Sequence, residues 1–375
     1  MERRYKILIT ISELIHSSQV RNLYDLLSII DTDVFDVEVG ALATGNEAQA
    51  DIENLGFEVF RLRLQPTRGF TLEKLMDLIK GPFIIRNRKY DLVHSFLYQS
   101  IFTEPFFFKL LTNSKYIYTK SNLEWNNHPK NWHKKSQLAD RIISISKATD
   151  ELLIDQGFGE KIKKIYLGID TEYFKYSMDK GVKFRLDNNI PGNAVVFGCA
   201  AQFIELKEHI TLLKAFESLA GVNKNIYLIY CGPNHRNDYY IKFKSEMEQS
   251  KYSDRIRELG SLSDMPSFYS AIDCFVLPSR FEAFGYVYVE AMSCGIPVIA
   301  CRAGGPLEIV IDGETGYFSE VSDSSDLARK MSIYLEKEDL LEKHGKQSRQ
   351  RAVEIFSKET MARKMMDLYI ETIEQ

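Results

Sequence analysis

The chain has 375 residues, which is more than one hydrophobic core usually supports because cores stop growing near ~250–300 residues. Its 48 Lys and Arg against 52 Asp and Glu give a net charge of −4, and 45% of its residues are hydrophobic. This composition excludes a disordered chain and a generally basic nucleic-acid-binding protein, and it predicts a soluble protein of two domains.

The first apolar run, Ile7–Ile11, is shorter than the ~7–15 residues of a signal-peptide core, and we interpret it as a strand. No run approaches the ~18 apolar residues of a membrane-spanning helix. The five cysteines are odd in number and form no C-x-x-C pair. Together these features predict reduced thiols in a cytoplasmic protein.

Short β-branched runs then alternate with helical patterns through the first half of the chain. They are apolar nearly throughout, as is typical of parallel strands covered by helices on both faces. The predicted strands are Lys6–Ser12, Val37–Thr44, Glu58–Leu64, Asp91–Phe96, Tyr116–Thr119, Arg141–Ser146 and Lys164–Gly168. This half is predicted to be an α/β domain.

A lysine-rich segment, Lys109–Lys135, lies in this half and holds six lysines against a single acidic residue. Trp125, Trp132, His128 and His133 are interleaved with the lysines. One interpretation is a solvated face or a flexible loop. The other is a site for an anionic acceptor or for an anionic membrane surface. In the second case the protein would contact the inner membrane face peripherally through this segment.

A polar interval, Asp170–Asn193, separates the first half from a second set of buried runs. The predicted strands there are Val195–Ala201, Ile226–Gly232, Cys274–Ser279 and Pro297–Cys301, and Ile210–Leu219 has helical spacing. Two doubly wound parallel-sheet domains in tandem are therefore expected.

Ligands of such sheets bind beyond the carboxyl ends of the strands, and four loops there are distinctive. They are Ala201–His209, Cys231–His235, Gly260–Asp264 and Leu277–Gly285. Glu290 is the single charged residue between Glu282 and Arg302, and a buried carboxylate needs hydrogen-bond donors such as the vicinal hydroxyls of a sugar. Alternatively, these residues have no role in binding. Glu282 would then be an acid at a helix N-terminus that interacts with the helix dipole, Glu290 would face solvent, and Lys207 would be a surface lysine.

In this order the loops resemble those of retaining glycosyltransferases of family 4, which have the GT-B fold. The similarity is strongest over Phe197–Phe318 and includes the Glu-x7-Glu pair Glu282 and Glu290, followed by the run Gly304–Gly316. The resemblance implies two Rossmann-like domains facing a cleft. Residues 1–175 would bind the acceptor, residues 190–356 would bind the donor, and a last helix at 357–375, with Ser357 as its N-cap, would pack back on the first domain.

The resemblance also implies roles for individual residues. Lys207 and Glu282 match the catalytic positions, with Lys207 neutralising charge on the leaving nucleoside diphosphate. The implied donor-binding residues are Gln202, Gly232, Ser261, Leu262, Ala283, Phe284, Gly285, Tyr286 and Glu290, with Glu308 as support. On the acceptor side the candidates are Ser17, Ser18, His94, Lys120 and Asn122.

Several positions depart from the family pattern. The donor-side arginine is replaced by Gln202, and the glycine after the lysine is replaced by Glu208. In the first domain Ser17 and Ser18 stand in place of a Gly-Gly loop.

The implied reaction transfers a sugar from a nucleotide-diphosphate sugar to an acceptor hydroxyl with retention, in the synthesis of a cell-surface polysaccharide, a lipopolysaccharide or a glycolipid. The partners are a nucleotide sugar and a sugar or lipid-linked acceptor, with no nucleic acid. No metal or other cofactor is expected, and Asp31-Thr-Asp33 is predicted to be a turn. The missing arginine leaves open a GT-B epimerase or phosphorylase, or a nucleotide-sugar-binding scaffold.

Overall fold

A computed structural model describes residues 3–15, 17–45, 47–62, 86–97, 103–121, 129–337 and 339–375. The chain forms two compact units. The first comprises Met1–Gly168 together with Lys358–Gln375, and the second comprises Ile169–Ser357.

The first unit is built on a parallel sheet in which seven strands are described. In chain order they are β1 (Tyr5–Glu13), β2 (Phe35–Ala43), β3 (Glu58–Arg61), β4 (Leu92–Ser95), β5 (Lys115–Lys120), β6 (Arg141–Ser144) and β7 (Ile162–Lys164). Their order in the sheet is β3-β2-β1-β4-β5-β6-β7. The helices that follow these strands are α1 (Ser18–Leu27), α2 (Glu47–Asn54), α3 (Thr103–Thr112), α4 (Pro129–Leu138) and α5 (Lys147–Asp155).

The apolar runs of the sequence are explained by burial on both faces of this sheet. In β1, Ile7 and Ile9 belong to one hydrophobic core, whereas Leu8 belongs to a second core on the other face. Successive side chains of a strand point to opposite faces, so a sheet covered twice requires apolar residues throughout. The predicted α/β class is confirmed.

The strand predicted at Lys164–Gly168 is wrong in position, because β7 is Ile162–Lys164. Its partner β6 ends at Ser144, which pairs with Lys164, so the ladder has no further partner beyond that point. Ile165 and Leu167 are buried without belonging to the strand, and their burial explains why the run looked like one.

The second unit has its own parallel sheet, of which six strands are described. They are β8 (Val195–Ala200), β9 (Ile226–Cys231), β10 (Ile256–Glu258), β11 (Cys274–Leu277), β12 (Val298–Cys301) and β13 (Gly316–Ser319), in the order β10-β9-β8-β11-β12-β13. Strands β10 and β13 were not among those predicted. The chain runs outward from β8 in one direction and from β11 in the other, so the order reverses between these two neighbours.

Helices cover this second sheet on both faces. They are α6 (Met178–Asp187), α7 (His209–Ala220), α8 (Asp238–Gln249), α9 (Met265–Ala271), α10 (Tyr286–Ser293), α11 (Pro306–Ile309), α12 (Ser324–Glu336) and α13 (Asp339–Phe356). The polar interval of the sequence contains α6, which begins after the N-cap Ser177 and belongs to the second unit. All five cysteines of this unit are buried free thiols.

The last helix, α14 (Lys358–Glu374), belongs to the first unit. Met361, Met365, Leu368 and Tyr369 are buried in the same core as Ile7. The apolar stripe of this helix is therefore covered. Across the residues described, no helix has the length and apolar character needed to cross a membrane.

Candidate functional site

Two loops of the second unit meet at the carboxyl ends of β8 and β11, where the strand order reverses. Lys207 ends a 3₁₀ turn, Glu205–Lys207, that follows β8, and Glu282 lies in the loop that follows β11. The Lys207 ammonium and the Glu282 carboxylate lie 2.5 Å apart, with side chains 17% and 15% exposed. The two candidate catalytic residues are thus brought together at the place where open α/β sheets bind ligands.

Backbone hydrogen bonds fix the two loops to each other. The backbone N–H of Arg280 donates to the carbonyl oxygen of Leu206 over 2.9 Å, and the Ser279 hydroxyl donates to the same oxygen over 3.2 Å. Leu206 and Arg280 lie close in sequence to Lys207 and Glu282. The separation of the ion pair is therefore set by the backbone as well as by the charges.

The Gly304-Gly305 pair after β12 supports the Glu282 loop from behind. The N–H of Gly305 donates to the carbonyl oxygen of Glu282 over 2.8 Å. A Cβ on Gly304 would lie 2.3 Å from that same oxygen, and a Cβ on Gly305 would lie 2.3 Å from the carbonyl oxygen of Phe284. Two glycines are required because the backbones approach too closely for any side chain.

Helix α10 begins at the end of this loop. Its N-cap is Gly285, which has φ +109° and supplies no side-chain cap, so backbone groups form the helix start. This start is surrounded by Ala283, Phe284 and Tyr286, three of the residues that the resemblance implies for donor binding. A helix N-terminus carries partial positive charge and suits an anion, and here it lies beside a lysine.

Glu290 lies on α10, one turn beyond its start. Its side chain is buried, at 5% exposed, and its carboxylate accepts a hydrogen bond of 2.8 Å from the Tyr269 hydroxyl. Burial and the neighbouring Glu290 charge raise the pKa of Tyr269, so this hydroxyl stays a neutral donor. The alternative that Glu290 faces solvent is wrong.

The loops after β8, β9 and β10 lie in a row along the same edge of the sheet. The N–H of Gly232 donates to the carbonyl oxygen of Gly260 over 2.8 Å, and that of Phe203 donates to Pro233 over 2.9 Å. Gly232 has φ +141°, and a Cβ there would lie 2.0 Å from the carbonyl oxygen of Ala201. Gln202 and Ser261 are exposed at this edge, and Leu262 is half-buried.

Two family models match the chain, one in each half. The model described as Glycosyltransferase Family 4 matches residues 22–173, and the model described as Glycosyl transferases group 1 matches residues 183–351. Together they account for most of both units. The chain belongs to the family that these two models describe, glycosyltransferase family 4/group 1.

Curated relatives of this family member act on several kinds of glycan. The capsular polysaccharide biosynthesis glycosyltransferase CapM of Staphylococcus aureus is 25% identical over 247 residues, which are 62% of this chain and 61% of CapM. The lipopolysaccharide 1,2-N-acetylglucosaminetransferase of Salmonella typhimurium is 34% identical over 171 residues, 42% of this chain and 43% of that protein. The matched segments thus span from 43% to 61% of these two relatives.

Solved structures similar to this chain cover nearly all of it. Anabaena Alr3699/HepE in complex with UDP and glucose has a TM-score of 0.81 and 23% identity, covering 97% of this chain and 99% of that one. A glycosyltransferase from Rickettsia africae has a TM-score of 0.87 and 19% identity, covering 99% of both chains. At this level of identity the likeness establishes the fold, and the chain has the GT-B fold predicted from its sequence.

Gln202 and Glu208 depart from the family pattern near Lys207, and their surroundings differ. Gln202 is exposed at the sheet edge, whereas Glu208 is buried and has φ +56°. The left-handed conformation explains why a glycine is usual there. Glu308 is half-buried on the short helix α11, and its carbonyl oxygen accepts a hydrogen bond of 2.6 Å from Arg351.

In the first unit, Ser17 and Ser18 are exposed at the start of α1, directly after β1. The Ser17 hydroxyl caps the helix by accepting from the N–H of Val20 over 3.3 Å. The Gln19 amide donates to the Ser121 hydroxyl over 3.2 Å, which joins the loops after β1 and β5. The two serines therefore lie at the carboxyl edge of the first sheet.

His94 lies in β4 and is fully buried, so its side chain does not reach an acceptor substrate. Its Nδ1 lies 2.6 Å from the Tyr369 hydroxyl, and its Nε2 lies 2.8 Å from the hydroxyl of Thr119. Burial, with a smaller contribution from the Lys135 charge, lowers the pKa of His94 to about 3. The ring is therefore neutral, and it links the sheet to the last helix.

The lysine-rich segment is neither a solvated face throughout nor a continuous basic surface. Lys120 is buried with its ammonium 4.1 Å from the Trp132 ring centroid. Lys135 is buried too, donates to Ser95 and Leu97, and lies 3.8 Å from Glu104, while burial lowers its pKa to about 8. Asn122, Trp125 and His128 lie outside the described residues.

Asp31-Thr-Asp33 forms the predicted turn between α1 and β2, where the N–H of Asp33 donates to the Asp31 carboxylate over 2.9 Å. Within the described part of the chain, no cluster of three or more His, Cys, Asp or Glu side chains is arranged to hold a metal ion.

Proposed function

We propose that this protein is a retaining glycosyltransferase that moves a sugar from a nucleotide-diphosphate sugar to an acceptor hydroxyl. The observation that carries the proposal is the Lys207–Glu282 ion pair at the point where the strand order reverses, beside the start of the helix that carries buried Glu290. The capsular and lipopolysaccharide enzymes among its relatives support a cell-surface polysaccharide, lipopolysaccharide or glycolipid as the product.

The second unit offers groups that match each part of a nucleotide-sugar donor. The start of α10 and the Lys207 ammonium supply positive charge for the diphosphate. Glu290 lies four residues beyond Tyr286, about 6 Å further along the helix axis, and its carboxylate suits the two ribose hydroxyls. The loops that contain Gln202, Gly232, Ser261 and Leu262 would then line the base and the phosphates.

In the reaction, the acceptor oxygen approaches from the face that the diphosphate leaves and forms a bond to the anomeric carbon, while the bond from that carbon to the phosphate oxygen breaks and the hydroxyl proton passes to that phosphate oxygen. The electron pair of the broken bond leaves with the nucleoside diphosphate, and Lys207 neutralises the charge that develops there. The Glu282 carboxylate lies beside the sugar, where its charge stabilises positive charge on the anomeric carbon. Because Lys207 and α10 already supply positive charge, we propose that no metal takes part.

The place of the enzyme in the cell is proposed from its thiols and lysines. Five buried free cysteines are expected of a protein in the reducing cytoplasm. Peripheral contact with an anionic membrane would depend on exposed lysines such as Lys130 and Lys134, since Lys120 and Lys135 are buried. Co-sedimentation with anionic and neutral vesicles at low salt tests that contact, and equal binding to both would argue against it.

The exposed Gln202 in place of an arginine keeps an alternative open, in which the site binds a nucleotide sugar but serves as an epimerase or phosphorylase, or as a scaffold without turnover. Incubation with a panel of UDP, GDP and ADP sugars, followed by NMR of the products, separates these functions. A transferase releases free sugar that keeps the anomeric configuration of the donor. An epimerized nucleotide sugar, a need for inorganic phosphate, or no turnover of any donor would contradict the proposal.

A further inference from the structure

Glu208 is an unusual residue for its position. It follows Lys207 directly and joins the 3₁₀ turn Glu205–Lys207 to α7. Its backbone is left-handed, with φ +56° and ψ +36°, a conformation that disfavours residues with a Cβ. A residue kept there against its backbone preference requires compensation from its side chain.

The Glu208 side chain makes three polar contacts and is only 8% exposed. Its carboxylate accepts from the Arg280 guanidinium, from the Thr211 hydroxyl and, over 2.9 Å, from the Ser322 hydroxyl. These donors come from the loop after β11, from α7 and from the loop after β13. One carboxylate therefore ties three segments of the second unit together.

This cluster lies next to the candidate catalytic pair in both of the loops that carry the pair. Glu208 follows Lys207 by one residue, and Arg280 precedes Glu282 by two. The backbone bond from Arg280 to Leu206 links the same two loops. The Glu208–Arg280 pair and the Lys207–Glu282 pair are thus two parallel links between one pair of loops.

Glu208 has two opposing effects on an anionic ligand, electrostatic repulsion and the positioning of Lys207. An unpaired acid beside a diphosphate would repel it and weaken its binding. Here the carboxylate is paired with a guanidinium, and its remaining acceptor positions are bound by hydroxyls, so little of its charge reaches the neighbouring site. The mechanical effect, which is to hold the turn that carries Lys207, is the larger one.

We propose that Glu208 is a positioning residue that acts with Arg280 to hold Lys207 against the diphosphate of the donor. This inference rests on the proposed function, because it assigns a task to the same site. The repulsion and positioning roles predict opposite results when the carboxylate is removed.

The test compares Glu208→Gly, Glu208→Gln and Arg280→Gln with wild type. Calorimetric titration with UDP, GDP and ADP gives the affinity, hydrolysis of the matching UDP, GDP or ADP sugar gives kcat and KM, and thermal melting reports folding. Glu205→Gln is the matched control, since Glu205 also contacts Arg280 over 3.3 Å but is 72% exposed.

For Glu208→Gly we expect affinity for the nucleoside diphosphate and kcat each to fall about tenfold, as for the loss of a charge-assisted contact. Glu208→Gln should retain part of both because it keeps the hydroxyl contacts, and Arg280→Gln should resemble Glu208→Gly. The Glu208→Gly/Arg280→Gln double variant should be no worse than either single change, because the two residues act as one unit.

Tighter or unchanged binding by Glu208→Gly, or additive losses in the double variant, would overturn this inference while leaving the proposed function intact. If Glu208→Gly does not fold, the Glu208→Gln and Arg280→Gln results decide in the same way. A wild-type protein that binds none of the three nucleoside diphosphates would overturn the proposed function, and this inference with it.

Discussion

The Lys207–Glu282 ion pair joins the two residues on which the proposed chemistry depends. A donor phosphate and the Glu282 carboxylate would compete for the same ammonium group. The carboxylate therefore has two opposite effects in this account. It weakens ground-state binding of the nucleoside diphosphate, and it stabilises the charge that develops on the sugar.

Replacing Glu282 by Gln is expected to separate these effects. Affinity for the nucleoside diphosphate should rise about three- to tenfold because Lys207 loses its competing anion, whereas donor turnover should fall by about 100-fold or more. Titration calorimetry and donor hydrolysis measure the two quantities. Glu314→Gln, at an exposed position, is the control, and a parallel fall in affinity and turnover would count against the account.

The Tyr269 hydroxyl donates a hydrogen bond to the Glu290 carboxylate. Tyr269→Phe should leave that carboxylate less well oriented and reduce the preference for the nucleoside diphosphate that the wild type binds over its 2′-deoxy form by about three- to tenfold. Affinities for both nucleotides measure this preference.

Tyr288→Phe serves as the matched control for that change. Tyr288 is equally buried, but its hydroxyl donates to the carbonyl oxygen of Leu277 over 2.6 Å instead of to Glu290. Its loss should lower stability and leave the preference between the two nucleotides unchanged. An equal change in preference in both variants would mean that Tyr269 acts only through stability.

At the scale of elements, the site consists of loops held together by close backbone contacts. The loop after β12 supports the loop after β11, and the latter leads into α10. Such contacts leave no room for a side chain, which explains why glycines occur in these loops. Substitution of these glycines tests the explanation.

Gly305→Ala is expected to lower the free energy of unfolding by about 1–3 kcal/mol, because its Cβ would lie 2.3 Å from the Phe284 carbonyl oxygen. It should also weaken nucleoside diphosphate binding, since Phe284 leads into the start of α10. Gly192→Ala is the control, because a Cβ there meets nothing within 4 Å. Denaturant unfolding and calorimetry measure both effects, and equal stability of the two variants would refute the close approach.

The sequence allowed the second unit's site to be predicted more completely than the first unit's. Paired glycines such as Gly304 and Gly305, and a lone charge such as Glu290 in an apolar run, are visible in the sequence as residue types even where the contact that requires them lies elsewhere in the chain. Candidates such as His94 and Lys120 are polar residues in buried strands, and no pattern distinguishes a buried partner in a hydrogen bond from an exposed ligand. Neither the exact end of β7 nor the Glu208–Arg280 contact could be predicted, because both depend on residues distant in sequence.

At the scale of the whole molecule, each of the two units contains a buried neutral histidine. His94 lies in the first unit and His209 in the second, and burial lowers the pKa of each to about 3 from an ordinary value of 6.5. His209 stacks on the Phe203 ring, with centroids 4.3 Å apart. In the unfolded chain both residues are free to take up a proton.

Stability should therefore fall as the pH falls below 6.5, since the unfolded state then binds protons that the folded state excludes. Each histidine is expected to remove about 1.4 kcal/mol of unfolding free energy between pH 7.5 and 5.5. His94→Phe should remove its share of this pH dependence from the first unit, whatever its effect on stability at pH 7.5. Urea unfolding at the two pH values tests this, and equal pH dependence in wild type and variant would be inconsistent with a buried neutral His94.

In the proposed function, the second unit binds a nucleoside diphosphate through Lys207, the start of α10 and Glu290. Calorimetric titration of UDP, GDP and ADP into wild type, Glu290→Gln and the exposed-site control Glu248→Gln tests this binding. Wild type and the control should bind one nucleotide saturably, and Glu290→Gln should bind it about 10- to 100-fold more weakly. Absence of binding to all three nucleotides, or equal binding by wild type and Glu290→Gln, would contradict this proposal.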